Sequence, residues 1–405
     1  MVSDRRARAP YLIVVAAALL NLVSYIDRSS ISVAAPSIRK ELQLTPTQLG
    51  VVFSSFFLSY ALLQIPWGVA ADRYGPRKIV TFAILAWSSF TALTGAAAGY
   101  RTLVLIRFAF GGMEAALAPA IGSGLARWIP ERWRGTAFGI FLAGGRLGGA
   151  FAPALSALFL LHFGWRATFL LIAIAGPVAA LVWVRAAPSH SGTETVPKPS
   201  ELSEKLPRSF RVFALILVSF GYTFMWQFYA TWFPTYLIER RGYSLGQAAG
   251  YAALPFLLGI GSNWVGGLLS DLLSKKLGKP FGRGAVGFFS MFLAGLLFYF
   301  GIVGSARASV WLLAAAAGFG DLFLPIAWSI ATELGGKSAG AFAALMNSAS
   351  NLGGFVSPIV LGAAIQRSGN WDFALMANVG AVLGAALLWP IVIWPQNSKT
   401  YVLRR

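Results

Sequence analysis

Apolar runs long enough to cross a bilayer recur about twelve times along this chain, and no other feature limits its fold as much. A helix rises 1.5 Å per residue, so roughly 20 apolar residues cover about 30 Å of hydrocarbon. Such runs fall at 11–36, 47–71, 79–98, 102–126, 135–162 and 167–184, and after a polar stretch at 212–237, 246–270, 284–304, 309–331, 340–366 and 373–394. The expected fold class is an all-α membrane protein of twelve transmembrane helices. The first run lacks the small-residue cleavage pattern of a secretory signal, and it reads as a retained helix.

Composition agrees where it is needed. Hydrophobic residues make up 57% of the chain and charged residues 12%, far from the balance of a soluble domain. The 44 glycines and 20 prolines would weaken a water-soluble bundle, yet both residues are frequent in membrane helices. A formal charge of +19 raises the question of nucleic acid, but the basic residues lie between apolar runs rather than on one soluble face, so no nucleic-acid partner is expected. Without cysteine there is no disulfide or thiolate metal site, and two histidines, His162 and His190, make no His-rich one. No metal and no cofactor are expected.

Basic loops stay cytoplasmic. The side holding the N-terminus, the even-to-odd connections and the tail carries 22 Lys and Arg against 8 on the other, so both termini are expected in the cytoplasm. The stretch 185–211 contains Pro188, Pro197, Pro199 and Pro207 with no sustained apolar period, and reads as a cytoplasmic linker between bundles at 1–184 and 212–405. The two halves repeat. Gly148-Gly149 with Pro153 matches Gly353-Gly354 with Pro358 at an offset of 205, Gly135 matches Gly340, and Gly68 with Asp72 matches Gly267 with Asp271. A parallel duplication of this kind predicts two pseudo-symmetric six-helix bundles with a binding site near mid-membrane.

An ionisable side chain within a membrane helix is expensive and marks a functional site by default. Asp27, Arg28, Arg107, Glu114, Arg146 and Asp321 form that set. Arg107 and Glu114 are seven residues apart, about 10 Å along one helix face, too far to pair, so each is expected to meet a group on another helix. A guanidinium grips a carboxylate with two parallel hydrogen bonds, which fits Arg28 and Arg107 for anion binding; the alternative for Arg28 is a structural pair with Asp27 or Glu114. Asp27 and Glu114 are candidate proton carriers or, alternatively, permanent partners of arginines. Arg146 either adds a second cation for a dianion or larger anion or neutralises Asp321 or a helix end. Asp321 is either a cation or proton site or a packing acceptor. Tyr60, Gln64, Tyr222, Trp226, Gln227, Asn347, Ser350 and Asn351 are candidates for substrate hydroxyls or for packing.

The run Gly68-Val-Ala-Ala-Asp72-Arg73-Tyr74-Gly75-Pro76-Arg77-Lys78 resembles the signature loop of the major facilitator superfamily. That resemblance implies the major facilitator fold and a conformational-switching role for Gly68, Asp72, Arg73 and Arg77; the bland alternative is a basic loop with a turn glycine. Nearly the whole chain is also similar to the anion:cation symporters of that superfamily, carriers of hexuronates, galactonate, glucarate and related sugar acids. The residues carrying this are Tyr25-Ile-Asp27-Arg28-Ser29 with Pro36, Tyr60-Ala-Leu-Leu-Gln64-Ile-Pro66, Arg107 and Glu114, Thr231-Trp232-Phe233-Pro234-Thr235-Tyr236-Leu237, and Met346-Asn347 with Gly353-Gly354 and Ser357-Pro358. Arg146 departs from the family pattern, in which a small or polar residue is usual.

The resemblance implies proton-coupled symport of a small organic anion by alternating access, in a bacterial inner membrane, by a monomer among lipid. An organophosphate:phosphate antiporter or a non-transporting ligand sensor of the same fold are the alternatives. No catalytic constellation can be assembled, so an enzyme is not expected.

Overall fold

Turn chemistry sets where the helices begin and end. In the computed structural model, which describes residues 2–188, 210–335 and 339–393, the helices are α1 (Val2–Glu41), α2 (Pro46–Tyr74), α3 (Pro76–Thr94), α4 (Tyr100–Trp128), α5 (131–163), α6 (165–186), α7 (Phe210–Glu239), α8 (Leu245–Leu277), α9 (Lys279–Val303), α10 (Ala306–Ala331), α11 (Ala339–Ser368) and α12 (Trp371–Ile393). There is no strand among the described residues. Thr45 and Gln48 form a reciprocal capping box at the start of α2, with Pro46 at the first helical position, and Ser244 with Gln247 does the same for α8. Gly75 at φ 89° lets the chain reverse between α2 and α3. Gly164 at φ 75° turns α5 into α6.

Among the described residues, ten helical stretches are long and apolar enough to cross a membrane. One of them, Glu131–Ala186, has 56 residues and covers two expected spans on either side of Gly164. The 19-residue α3 occupies the expected third span. Helices run further than the apolar runs: Arg39 and Lys40, expected in a loop, form the last turn of α1. Likewise Arg185 and Ala186 belong to α6 and Phe210 and Arg211 to α7, while 189–209 of the expected linker lies outside the described residues.

Two compact units are present, and they do not follow chain order. The first gathers 2–188 with Gln227–Leu257 and Phe355–Ala374; the second gathers 210–226, 258–335, 339–354 and 375–393. Small residues set the packing in the first unit, as expected where dispersion rather than hydrophobicity holds helices together. Methyl groups on Gly144 and Gly148 of α5 would run into the carbonyls of Ala18 and Leu22 on α1. Trp87, Phe110, Phe141 and Trp183 fill the core between these helices. The pieces from later in the chain are packed just as tightly: Gly50 lies against the Pro358 carbonyl, Gly362 against that of Pro46, and Trp232 meets Phe53 edge-on at 5.3 Å. Arg39 bridges to Glu239 at 2.9 Å and Arg240 to Asp372 at 2.7 Å. The hydrogen bonds that Arg240 donates to Asp372, and that carboxylate's charge, hold the Arg240 guanidinium above its ordinary range. Helix α7 passes between units at Gln227, where Phe228–Trp232 are wound as a π-helix. In the second unit, Gly353 of α11 lies against Phe220 and Gly221 of α7 against Ala381.

Candidate anion site

Helix α1 carries Ser24, Asp27 and Arg28 at spacings of three and four, which stack on a helix. Arg28 Nε donates to Glu114 Oε1 over 3.1 Å, its second terminal nitrogen donates to the same oxygen, and Ser24 Oγ donates there over 2.8 Å. Glu114 sits on α4 with its side chain 1% exposed, against 20% for Arg28. Asp27 meets α3 instead, where Trp87 Nε1 donates to its Oδ2 over 3.0 Å, and both residues are fully buried.

Arg107 lies two turns before Glu114 on α4 and is only 2% exposed. Among the described residues its Nε and one terminal nitrogen have no hydrogen-bond acceptor, nor has Glu114 Oε2 a donor. Aromatic faces stand in part for the missing partner. The guanidinium carbon of Arg107 is 4.3 Å from the Phe110 ring and 5.5 Å from Phe56; that of Arg28 is 4.8 Å from Phe56, 4.8 Å from Tyr25 and 5.2 Å from Tyr60. Such contacts stabilise a cation but satisfy none of its N–H donors. Two arginines therefore share the Phe56 ring, one paired to a carboxylate and one holding open donors. With both acids ionised, Asp27, Glu114, Arg28 and Arg107 are neutral as a group.

Around this cluster, Tyr60 is half-buried beside Arg28, and Gln64 lies one turn further along α2. Gln227 is 4% exposed, and its Nε2 has no acceptor among the described residues. Arg146 is half-buried on α5, between Gly145, which packs on Asn21 and Tyr25, and Gly149, which packs on Phe256. All of these belong to the first unit. Tyr222, Trp226, Asn347, Ser350 and Asn351 belong to the second. There Tyr222 donates to Asp321, which is fully buried, and stacks on Trp226 at 6.4 Å. Ser350 donates to the Met346 carbonyl over 3.1 Å, which favours local capping for its hydroxyl.

The loop residues join helices at one end of the first unit. Asp72 accepts from Ser123 Oγ at 2.8 Å and from Arg127 at 3.3 Å, Arg77 donates to the Val184 carbonyl over 2.7 Å, and Arg73 lies over the Tyr74 ring at 5.3 Å. Gly68 faces Pro119 of α4 across an ordinary contact. Ser24 and Trp87 join the site only in the structure. The spacing of three and four residues from Ser24 to Asp27 and Arg28 is a sequence signal for the first; Trp87 is on another helix and carries no such signal.

An all-helical membrane bundle with a buried, charge-balanced cluster and open arginine donors defines a membrane transporter. The sequence profile of the Major Facilitator Superfamily matches residues 17–358, and the chain belongs to that superfamily. The probable sulfoacetate transporter SauU of Cupriavidus necator is 34% identical, over 96% of this chain and 95% of that protein. The hexuronate transporter of Bacillus subtilis is 30% identical over 91% of each. Among solved structures, an inward-facing, occupied bacterial homolog of the human lysosomal transporter Spinster superposes with a TM-score of 0.83 at 19% identity, over 95% of this chain and 97% of that one. The D-xylose-proton symporter gives 0.73 at 16% identity, over 94% and 97%.

Proposed function

We propose that this protein carries a small organic acid, with a carboxylate or sulfonate as its recognised group, together with protons across a bacterial inner membrane. Its termini face the cytoplasm, it works as a monomer, and its substrate class is that of the hexuronate, galactarate/D-glucarate and sulfoacetate transporters it is similar to. The observation that carries this reading is the Arg107 guanidinium, buried with open N–H donors beside an Arg28 already engaged by Glu114. Buried N–H donors without acceptors are costly, and an arriving anion removes that cost.

Charge balance supplies the coupling. With both acids ionised the four-residue cluster is neutral, and a bound monoanion then leaves it at minus one within a low-dielectric bundle. Uptake of one proton restores neutrality. Glu114 is the acid placed to take it, because the substrate competes for the same Arg28 donors; Asp27, held by Trp87, is the second. Arg146, Tyr60, Gln64 and Gln227 are assigned to the rest of the anion. Gly68, Asp72, Arg73 and Arg77 are assigned to switching.

The test is uptake by proteoliposomes under an acid-outside gradient, with D-glucuronate, D-glucarate, D-galactonate and sulfoacetate as labelled probes. Accumulation of at least one, abolished by a protonophore, is expected. Uptake that ignores the gradient would remove proton coupling, and uptake of none would remove the substrate class.

A further inference from the structure

A cavity of about 570 Å³ opens at the start of α3, away from the charge cluster. Tyr74, Arg77, Lys78, Phe82, Leu85 and Trp128 wall it, and no carboxylate lines it among the described residues. Its chemistry changes along one helix face. Lys78, Phe82 and Leu85 lie on one side of α3, while Ile79, Val80, Ala83 and Ile84 are buried on the other. From Lys78 to Leu85 is seven residues, about 10 Å along the axis. A cationic mouth therefore gives way to a greasy floor, with Phe82 55% and Leu85 44% exposed.

Two further features bear on the occupant. The Arg77 guanidinium is fixed at the wall by its 2.7 Å bond to the Val184 carbonyl, so its charge is placed before anything binds. The indole N–H of Trp128 has no acceptor among the described residues, although a buried indole normally finds one. A water takes about 30 Å³, so the volume far exceeds what a free phosphate needs. This end of the bundle carries the basic loop that the positive-inside rule assigns to the cytoplasm, where the leaflet surface is negative and basic pockets between helices take acidic headgroups.

The geometry points to a site for one anionic phospholipid, its phosphodiester on Arg77 and Lys78 and the first part of its acyl chains on Phe82 and Leu85. It lies on the loop that holds Asp72, so an occupant braces the α2–α3 turn.

Native mass spectrometry of the delipidated, detergent-purified full chain tests this, with dioleoylphosphatidylglycerol and dioleoylphosphatidylcholine as probes. The wild type is expected to retain one phosphatidylglycerol in preference to phosphatidylcholine, and Arg77→Gln with Lys78→Gln to weaken that binding about thirtyfold. Should the double variant fail to fold, Lys78→Gln alone, at an exposed side chain, is expected to weaken it about fivefold. Equal retention of both lipids, or phosphatidylglycerol binding unchanged in the variants, overturns the proposal. Displacement of the lipid by millimolar inorganic phosphate would show a free-phosphate site instead and also overturn it.

Discussion

Glu114→Gln separates binding from coupling. Glu114 Oε1 takes two hydrogen bonds from Arg28 and one from Ser24, and glutamine keeps the size and an acceptor but removes the charge. Bonds to a carboxylate contribute about 1.5–3 kcal/mol against about 1 kcal/mol to a neutral amide, so the hold on Arg28 falls by about 1–4 kcal/mol over the two. That hold no longer competes with a substrate anion, and the affinity for whichever probe the wild type binds is expected to rise by about 5- to 700-fold. The variant cluster is positive by one before binding and neutral afterwards, with no proton required. Titration calorimetry of the purified variant is therefore expected to show tighter binding, while gradient-driven accumulation in proteoliposomes is lost. Affinity equal to or below that of the wild type, with accumulation still following the pH gradient, would refute the competition on which the reasoning depends.

Two further substitutions probe the frame around the site. Trp87→Phe removes the 3.0 Å donor to Asp27 and leaves a buried acceptor unsatisfied, a cost of about 1–3 kcal/mol; the melting temperature is expected to fall with substrate affinity little changed, and a large loss of affinity would place Trp87 in contact with substrate. Gly144→Leu pushes a side chain into the Ala18 carbonyl at the α1–α5 contact; a sharp loss of folded protein in fluorescence-detected size exclusion is expected, and wild-type yield would show that this interface is looser than its packing suggests.

The helices were legible because hydrocarbon thickness and backbone hydrogen bonding leave one periodic solution, and Gly164 marked a break that the apolar run at 135–162 already anticipated. The charged residues were legible for the same reason: Asp27, Arg28, Arg107 and Glu114 stand out against lipid-compatible neighbours. Their partners were less so. A separation of seven positions sets Arg107 and Glu114 too far apart for a mutual pair, yet nothing in the spacing says which arginine Glu114 turns to. Trp87 reaches Asp27 from a third helix, a relation only packing can create. The internal repeat points to two related bundles, but it does not say which helix ends touch: the contact of Gly50 with the Pro358 carbonyl joins segments about 300 residues apart that no repeat spacing relates.

Arg107→Gln tests the central idea most directly, because that side chain is buried with two nitrogens that no acceptor among the described residues fills. Titration calorimetry with the wild-type substrate, on variant protein shown by circular dichroism to be folded, is expected to give no measurable binding. An affinity within threefold of the wild type would contradict an anion site built on this arginine.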